Sequence, residues 1–204
     1  MGMASPSAPR TDKNTNERPP PQRWRRRAKA RPEEILQAAL EAFTASGFEA
    51  ARMEDIAKTA GISKAAIYLY FPSKMAVLEA LIEAKVAPLA RQVQALSAAG
   101  LADPMPTLRA LAELAAHRIS DPALFSVPGL VIGLSGRFPE IAEYYRTHVV
   151  EHALAALQEL VQAGIDKGVF RQVDPRAVTR ALVGPIFFEA MWTHVLGGSS
   201  ALKD

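Results

Sequence analysis

Apolar positions recur at helical spacing along this chain, without the strict alternation that marks a half-buried strand. Ile35, Leu36, Ala39, Leu40 and Phe43 form a stripe that predicts a helix from Pro32 to Ser46. Proline suits its first position, Glu33 and Glu34 favour its positive end, and Gly47 ends it. Met53, Ile56, Ala57 and Ala60 repeat at i, i+3, i+4 and i+7 and predict a short helix from Met53 to Thr59. Gly61 supplies a sharp turn, and Ser63 can cap the next helix by accepting a backbone N–H. In that helix Ala66, Ile67 and Tyr70 are expected inward and Lys64, Ala65, Tyr68 and Leu69 outward. A long fourth helix is predicted from Ser73 to Leu96. Further helices are predicted over Met105 to Ile119, Pro122 to Leu134, Pro139 to Lys167 and Pro175 to Leu196, three of them opening on a proline after a break. Gly168 stops the third of these, and Gly184-Pro185 must either kink the last or divide it. The expected fold class is all-α.

Two short helices joined by a glycine turn, with a third helix directly behind, are laid out as a helix-turn-helix reader of duplex DNA. The second short helix is only ~10 Å long at 1.5 Å per residue, enough to place its N-terminal end in a major groove. Lys64 can donate to guanine O6 and N7, and the Ala65 methyl can touch a thymine methyl. Tyr68 and Tyr70 can offer phenolic O–H groups to phosphates, which position a protein without reading sequence. Lys74 begins a helix where a cation opposes the dipole, a placement that makes sense with a phosphate at that terminus. Packing is the other reading of these aromatics, above all of Tyr70.

Residues 47–78 closely resemble the DNA-binding domain of TetR-family transcriptional regulators. The likeness rests on Ile56-Ala57, Ala60-Gly61-Ile62-Ser63-Lys64, Ile67-Tyr68, Tyr70-Phe71 and Ser73-Lys74, with Gly47-Phe48 closing the helix before. It implies that Ser63, Lys64, Ala65, Ala66, Tyr68, Leu69 and Tyr70 lie on or beside a helix in the major groove, with the tyrosines and Ser73-Lys74 on phosphates. Two departures stand out. Where the family carries a Thr or Ser cap this chain has Ala51-Arg52, so a cap of ~1 kcal/mol is missing while Arg52 can meet a phosphate by charge. Ala65-Ala66 replaces the usual Gly-Thr, which lowers the polarity of the reading surface.

The net charge of +3 over 204 residues conceals an uneven distribution. Residues 1–31 hold nine Lys and Arg against two acidic residues, whereas the rest of the chain is slightly acidic. That composition predicts a disordered basic arm over 1–31, with Arg25, Arg26 and Arg27 able to follow a phosphate backbone or enter a minor groove. A merely solubilising tail is the alternative. Residues 32–74 would form the DNA-binding unit, and 75–204 a helical effector-binding and dimerisation unit. No cysteine is present, which excludes disulfides, thiolate metal sites and cysteine nucleophiles. The first thirty residues lack an apolar core of signal-peptide type, and no 18-residue apolar run suggests a membrane span. A cytoplasmic location is the natural expectation.

The second half carries weaker signals. Stretches around GRFPEIAEYYR and GVFRQVDPRAVTRALVGPI are similar to C-terminal domains of the same family. The last predicted helix is apolar on nearly all sides, so it needs a second wall, and self-association can supply one. Arg180, Leu182, Ile186, Phe187, Met191 and Val195 are the interface candidates. A ligand pocket is implied by the resemblance, with Phe125, Val131, Tyr144, Tyr145, His148, His152, Phe188, Glu189 and Trp192 as candidates against ordinary core packing. Glu189 could anchor a polar ligand or pair with Arg180 or Arg176. His148, Glu151 and His152 spell H-x-x-E-H, a zinc-peptidase spacing, but two histidines four apart arise easily by chance. The expectation is therefore no metal, no cofactor and no catalysis. It is instead a homodimeric regulator bound to a palindromic duplex operator, most simply a repressor released by a small hydrophobic effector. A DNA-binding protein on the same scaffold that answers to a protein partner, or acts architecturally, is the alternative.

Overall fold

In the computed structural model the described residues are 22–119 and 122–198, with side chains described over 31–118 and 125–198. They are helical throughout and contain no strand. The elements are α1 (Gln22–Ser46), α2 (Met53–Thr59), α3 (Lys64–Tyr70), α4 (Lys74–Lys85), α5 (Ala87–Ala99), α6 (Pro104–Ile119), α7 (Pro122–Leu134), α8 (Pro139–Tyr145), α9 (Glu151–Asp166) and α10 (Pro175–His194). A π-helical turn, Arg146–Val150, joins α8 to α9.

Three elements differ from the sequence-based expectation, each for a physical reason. α1 begins at Gln22, so residues 22–31 are helical backbone and not the disordered arm expected there. Arg, Lys and Ala are good helix formers, and their summed preference carries the helix through Pro32 at the loss of one backbone hydrogen bond. Residues 1–21 of the arm, and the side chains of Arg25, Arg26 and Arg27, lie outside the described residues. The long fourth helix is two, α4 and α5, parted at Val86. Pro88, early in α5, has no N–H to continue the α4 ladder. The helix expected from Pro139 to Lys167 is interrupted by the π turn, which no hydrophobic period announces. α10, in contrast, runs unbroken through Gly184-Pro185.

One core cluster ties the molecule together. Ile35, Phe43, Ile56 and Ile67 from α1 to α3 pack with Val77, Leu78, Leu81 and Ile82 of α4 and with Val127, Val131 and Ile141 of α7 and α8. The first three helices therefore do not close on themselves: α7 touches both α1 and α4. A three-helix unit of this size buries too little surface to stand alone, and α4 and α7 supply the missing wall. A smaller cluster of Leu111, Leu157 and Leu160 holds α6 against α9. Among the described residues no single helix is long and apolar enough to cross a membrane.

Candidate nucleic-acid interface

The turn between α2 and α3 is built by glycine. Gly61 has φ +66°, the Ile62 N–H donates to the Ala57 carbonyl at 2.9 Å, and the Gly61 N–H donates to the Lys58 carbonyl at 3.1 Å. These are the paired bonds of a Schellman motif, with Ile62 packed on the core beyond it. Ser63 then caps α3, its Oγ accepting the Ala66 N–H at 3.1 Å. Ser73 caps α4 in the same way through the Ala76 N–H at 3.1 Å. Arg52, at the N-cap of α2, makes no side-chain cap bond, as its residue type requires.

Ile67 anchors α3 and is fully buried. Lys64, Ala65, Tyr68 and Leu69 face solvent, Leu69 at 86% exposure. Ala66 is half-buried. Tyr70 does not face inward as the sequence pattern suggested; it is 40% exposed, close to Tyr68 at 44%. It closes a two-turn helix just before the extended Phe71, which takes the half-buried position against the core. α3 thus presents two phenols, a lysine and a large apolar side chain on its open side.

Two cations are engaged in ways that residue type alone does not disclose. The Lys64 ammonium forms an ion pair with Glu54 of α2 at 2.5 Å. The hydrogen bond to Lys64 holds the Glu54 carboxyl below its ordinary range, and the same bond raises Lys64. Lys74 turns back into the protein, where its Nζ donates to the carbonyls of Glu49 and Ala51, both at 2.9 Å, and lies 4.7 Å from the Phe48 ring centroid. Burial lowers its pKa. Lys74 therefore first locks the turn after α1 to the start of α4 and has one remaining N–H to offer a phosphate. Glu54 escaped the sequence reading because no helical period links residues ten apart across a turn.

Residues 35–81 match the family described as bacterial regulatory proteins, tetR family, and residues 102–197 match the tetracyclin repressor-like C-terminal domain. The chain belongs to the TetR family. The transcriptional regulator RutR of Escherichia coli is 43% identical over 68 residues, a match that spans 31% of this chain and 32% of RutR's own length. The regulator YdeS of Bacillus subtilis is 28% identical over 177 residues, 83% of each chain. A crystal structure described as that of a TetR-family regulator from Mesorhizobium loti superposes with TM-score 0.68 at 24% identity, covering 86% of this chain and 88% of that one, a likeness of fold. RutR and YdeS are named as HTH-type transcriptional regulators, and regulators of the TetR family bind DNA operators and typically act as dimers.

The pocket candidates lie in different surroundings among the described residues. Phe125 and Val131 are core residues, 6% and 2% exposed. Tyr145 is largely buried, and burial pushes its phenol up to about 12. The Tyr144 O–H donates to Glu83 at 3.3 Å, and its ring stacks on exposed His148 with centroids 4.1 Å apart. Phe188 and Trp192 stack on each other at 6.4 Å on the open side of α10, where Glu189 is half-buried. His152 alone of these borders a described cleft, about 580 Å³ between α5 and α9, beside Arg91, Gln94 and Glu159. Of the interface candidates, Arg180, Leu182, Phe187 and Val195 are exposed, while Ile186 and Met191 pack on Phe125 and Ala190. In the H-x-x-E-H segment Glu151 pairs with Arg146, and the π turn alters the register between the two histidines. Among the described residues no three His, Asp or Glu side chains gather as metal ligands.

Proposed function

We propose that this chain is a ligand-responsive repressor that binds a palindromic operator as a homodimer. The observation that carries the reading is α3: capped at Ser63, anchored by buried Ile67 and open along Lys64, Ala65, Tyr68 and Leu69. In a groove, Lys64 and Ala65 meet base edges, while Arg52, Tyr68, Tyr70 and the free N–H of Lys74 meet phosphates. The basic residues up to Arg31, with Arg25, Arg26 and Arg27 in the opening turns of α1, follow the adjoining backbone and steepen the salt dependence.

Residues 32–74 read DNA and residues 75–204 dimerise and sense. Leu182, Phe187, Phe188, Trp192 and Val195 leave an exposed apolar face on and just beyond α10, suited to a second copy of the same helix. Two reading helices about one duplex turn apart, ~34 Å, then fit two half-sites. The cleft between α5 and α9 favours an effector with polar groups over a purely hydrophobic one, since Arg91, Gln94 and Glu159 border it. An effector that prefers the arrangement with misaligned reading helices weakens operator binding by that same difference in free energy. A coupling of about 1–3 kcal/mol corresponds to roughly 5–150-fold. A regulator working inside the cell needs no membrane span, and a cytoplasmic location accords with this role.

The test is duplex binding at low ionic strength, followed by a small-molecule screen on the protein–DNA complex. Saturable binding, relieved by a compound that also raises thermal stability, is the expected result. No affinity for any duplex removes the reading. Binding that no small molecule relieves favours control by a protein partner.

A further inference from the structure

A lone lysine can donate to guanine, but nothing in the side chain itself orients it there. Its ammonium is a compact charge on a flexible stem with three rotatable donors, and beside a duplex the closest strong acceptors are phosphates. Lys64 is not alone. Glu54, in the first turn of α2, reaches across the Gly61 turn to its ammonium. The carboxylate is well placed there: it stands at the positive end of α2 and within the field of Arg52. Both partners remain open to solvent, Glu54 at 42% and Lys64 at 66% of the side chain, so the pair sits on the surface beside α3.

We propose that Glu54 is a positioning residue that makes Lys64 a reader of base edges instead of a binder of phosphate. The assignment rests on the DNA-reading role of α3 proposed above. One N–H of the ammonium is committed to Glu54, which fixes the stem and directs the other two from the first turn of the reading helix. The pair is close to neutral, so it adds little to the counterion release that drives non-specific binding. An acidic side chain on a DNA-facing surface otherwise opposes phosphates. Here that opposition selects for sequence: a duplex that offers guanine O6 and N7 to Lys64 is favoured over one that offers phosphates alone.

The experiment uses the full chain carrying Glu54→Gln, which keeps shape and removes charge. Binding to a selected operator and to a scrambled duplex is measured from 50 to 200 mM salt. The expected result is tighter binding to the scrambled duplex and a salt slope steeper by about 0.9, the value of one phosphate contact. The operator-to-scrambled ratio falls about tenfold or more. In a Lys64→Met background, Glu54→Gln leaves that ratio unchanged. Equal weakening on both duplexes assigns Glu54 a structural role and overturns the proposal. So does an unchanged ratio, or a ratio that still falls without Lys64. A wild-type protein that binds both duplexes equally removes the DNA-reading role itself, a failure distinct from these.

Discussion

Phe138 stands edge-on to Phe48, ring centroids 5.5 Å apart and planes at 76°. Phe48 meets Phe43 in the same manner at 5.1 Å and lies under the Lys74 ammonium. Next to it, Arg137 and Glu49 form an ion pair at 2.8 Å. The turn after α1 is therefore held at once by the end of α1, the start of α4 and the connection from α7 to α8. The connection between α7 and α8 is thus in direct contact with the turn that leads into α2.

The first prediction concerns that contact. Phe48→Leu and Phe138→Leu, combined in a double-mutant cycle by denaturant unfolding, should show a coupling of about 0.5–1.5 kcal/mol, the value of an edge-on aromatic pair. Simple additivity of the two effects would place the two rings in separate environments.

The second separates the cations and phenols of the reading surface. Tyr68→Phe should weaken binding to every duplex alike and leave stability unchanged. Lys64→Ala should also relax the preference for one sequence. Lys74→Ala should do something different again: by stripping donors from the Glu49 and Ala51 carbonyls it should lower unfolding stability by about 1 kcal/mol and weaken DNA binding with it. Indistinguishable behaviour of the three variants on operator and scrambled DNA contradicts the assignment.

The third tests the α10 face. Trp192→Glu, at a side chain 42% exposed, should give monomers in sedimentation with helical content retained. Operator affinity should fall with it, because two half-sites then bind independently. A dimer that survives the substitution moves the interface elsewhere.

The fourth follows from Tyr145. Its phenol ionises near 10.0 when unfolded and at about 12 when folded, because burial disfavours the phenolate. The unfolded chain therefore loses its proton first as pH rises. The neutral-phenol contribution is complete below pH 10 and is lost progressively toward pH 12, amounting to roughly 2–3 kcal/mol. Tyr145→Phe should flatten the fall in stability over that interval, as read by chemical denaturation; an unchanged alkaline profile refutes the burial-shifted phenol.

The helix-turn-helix was legible in the residues because its parts are local. A glycine at positive φ, a serine cap and an i, i+3, i+4 stripe each act within a few residues, and α2, α3, Gly61 and Ser63 stand where those rules put them. What escaped was settled by tertiary contact. Tyr70 follows the helical period of the inward face, yet the helix ends at it and Phe71 takes the place against the core. Lys74 reads as a free cation, and only the fold brings two carbonyls to it. Most of the pocket candidates are aromatics at helical spacing, a pattern that core packing produces equally well, and Phe125 is 6% exposed.

Selection of bound duplexes from a randomised pool, with the purified full chain at low salt, tests the central claim most directly. The account predicts enrichment of an inverted repeat whose half-sites lie about 10 base pairs apart or a multiple of that, with the preference in each half-site weakened by Lys64→Ala. A pool that shows no enriched sequence, or an enriched sequence without two-fold symmetry, contradicts it.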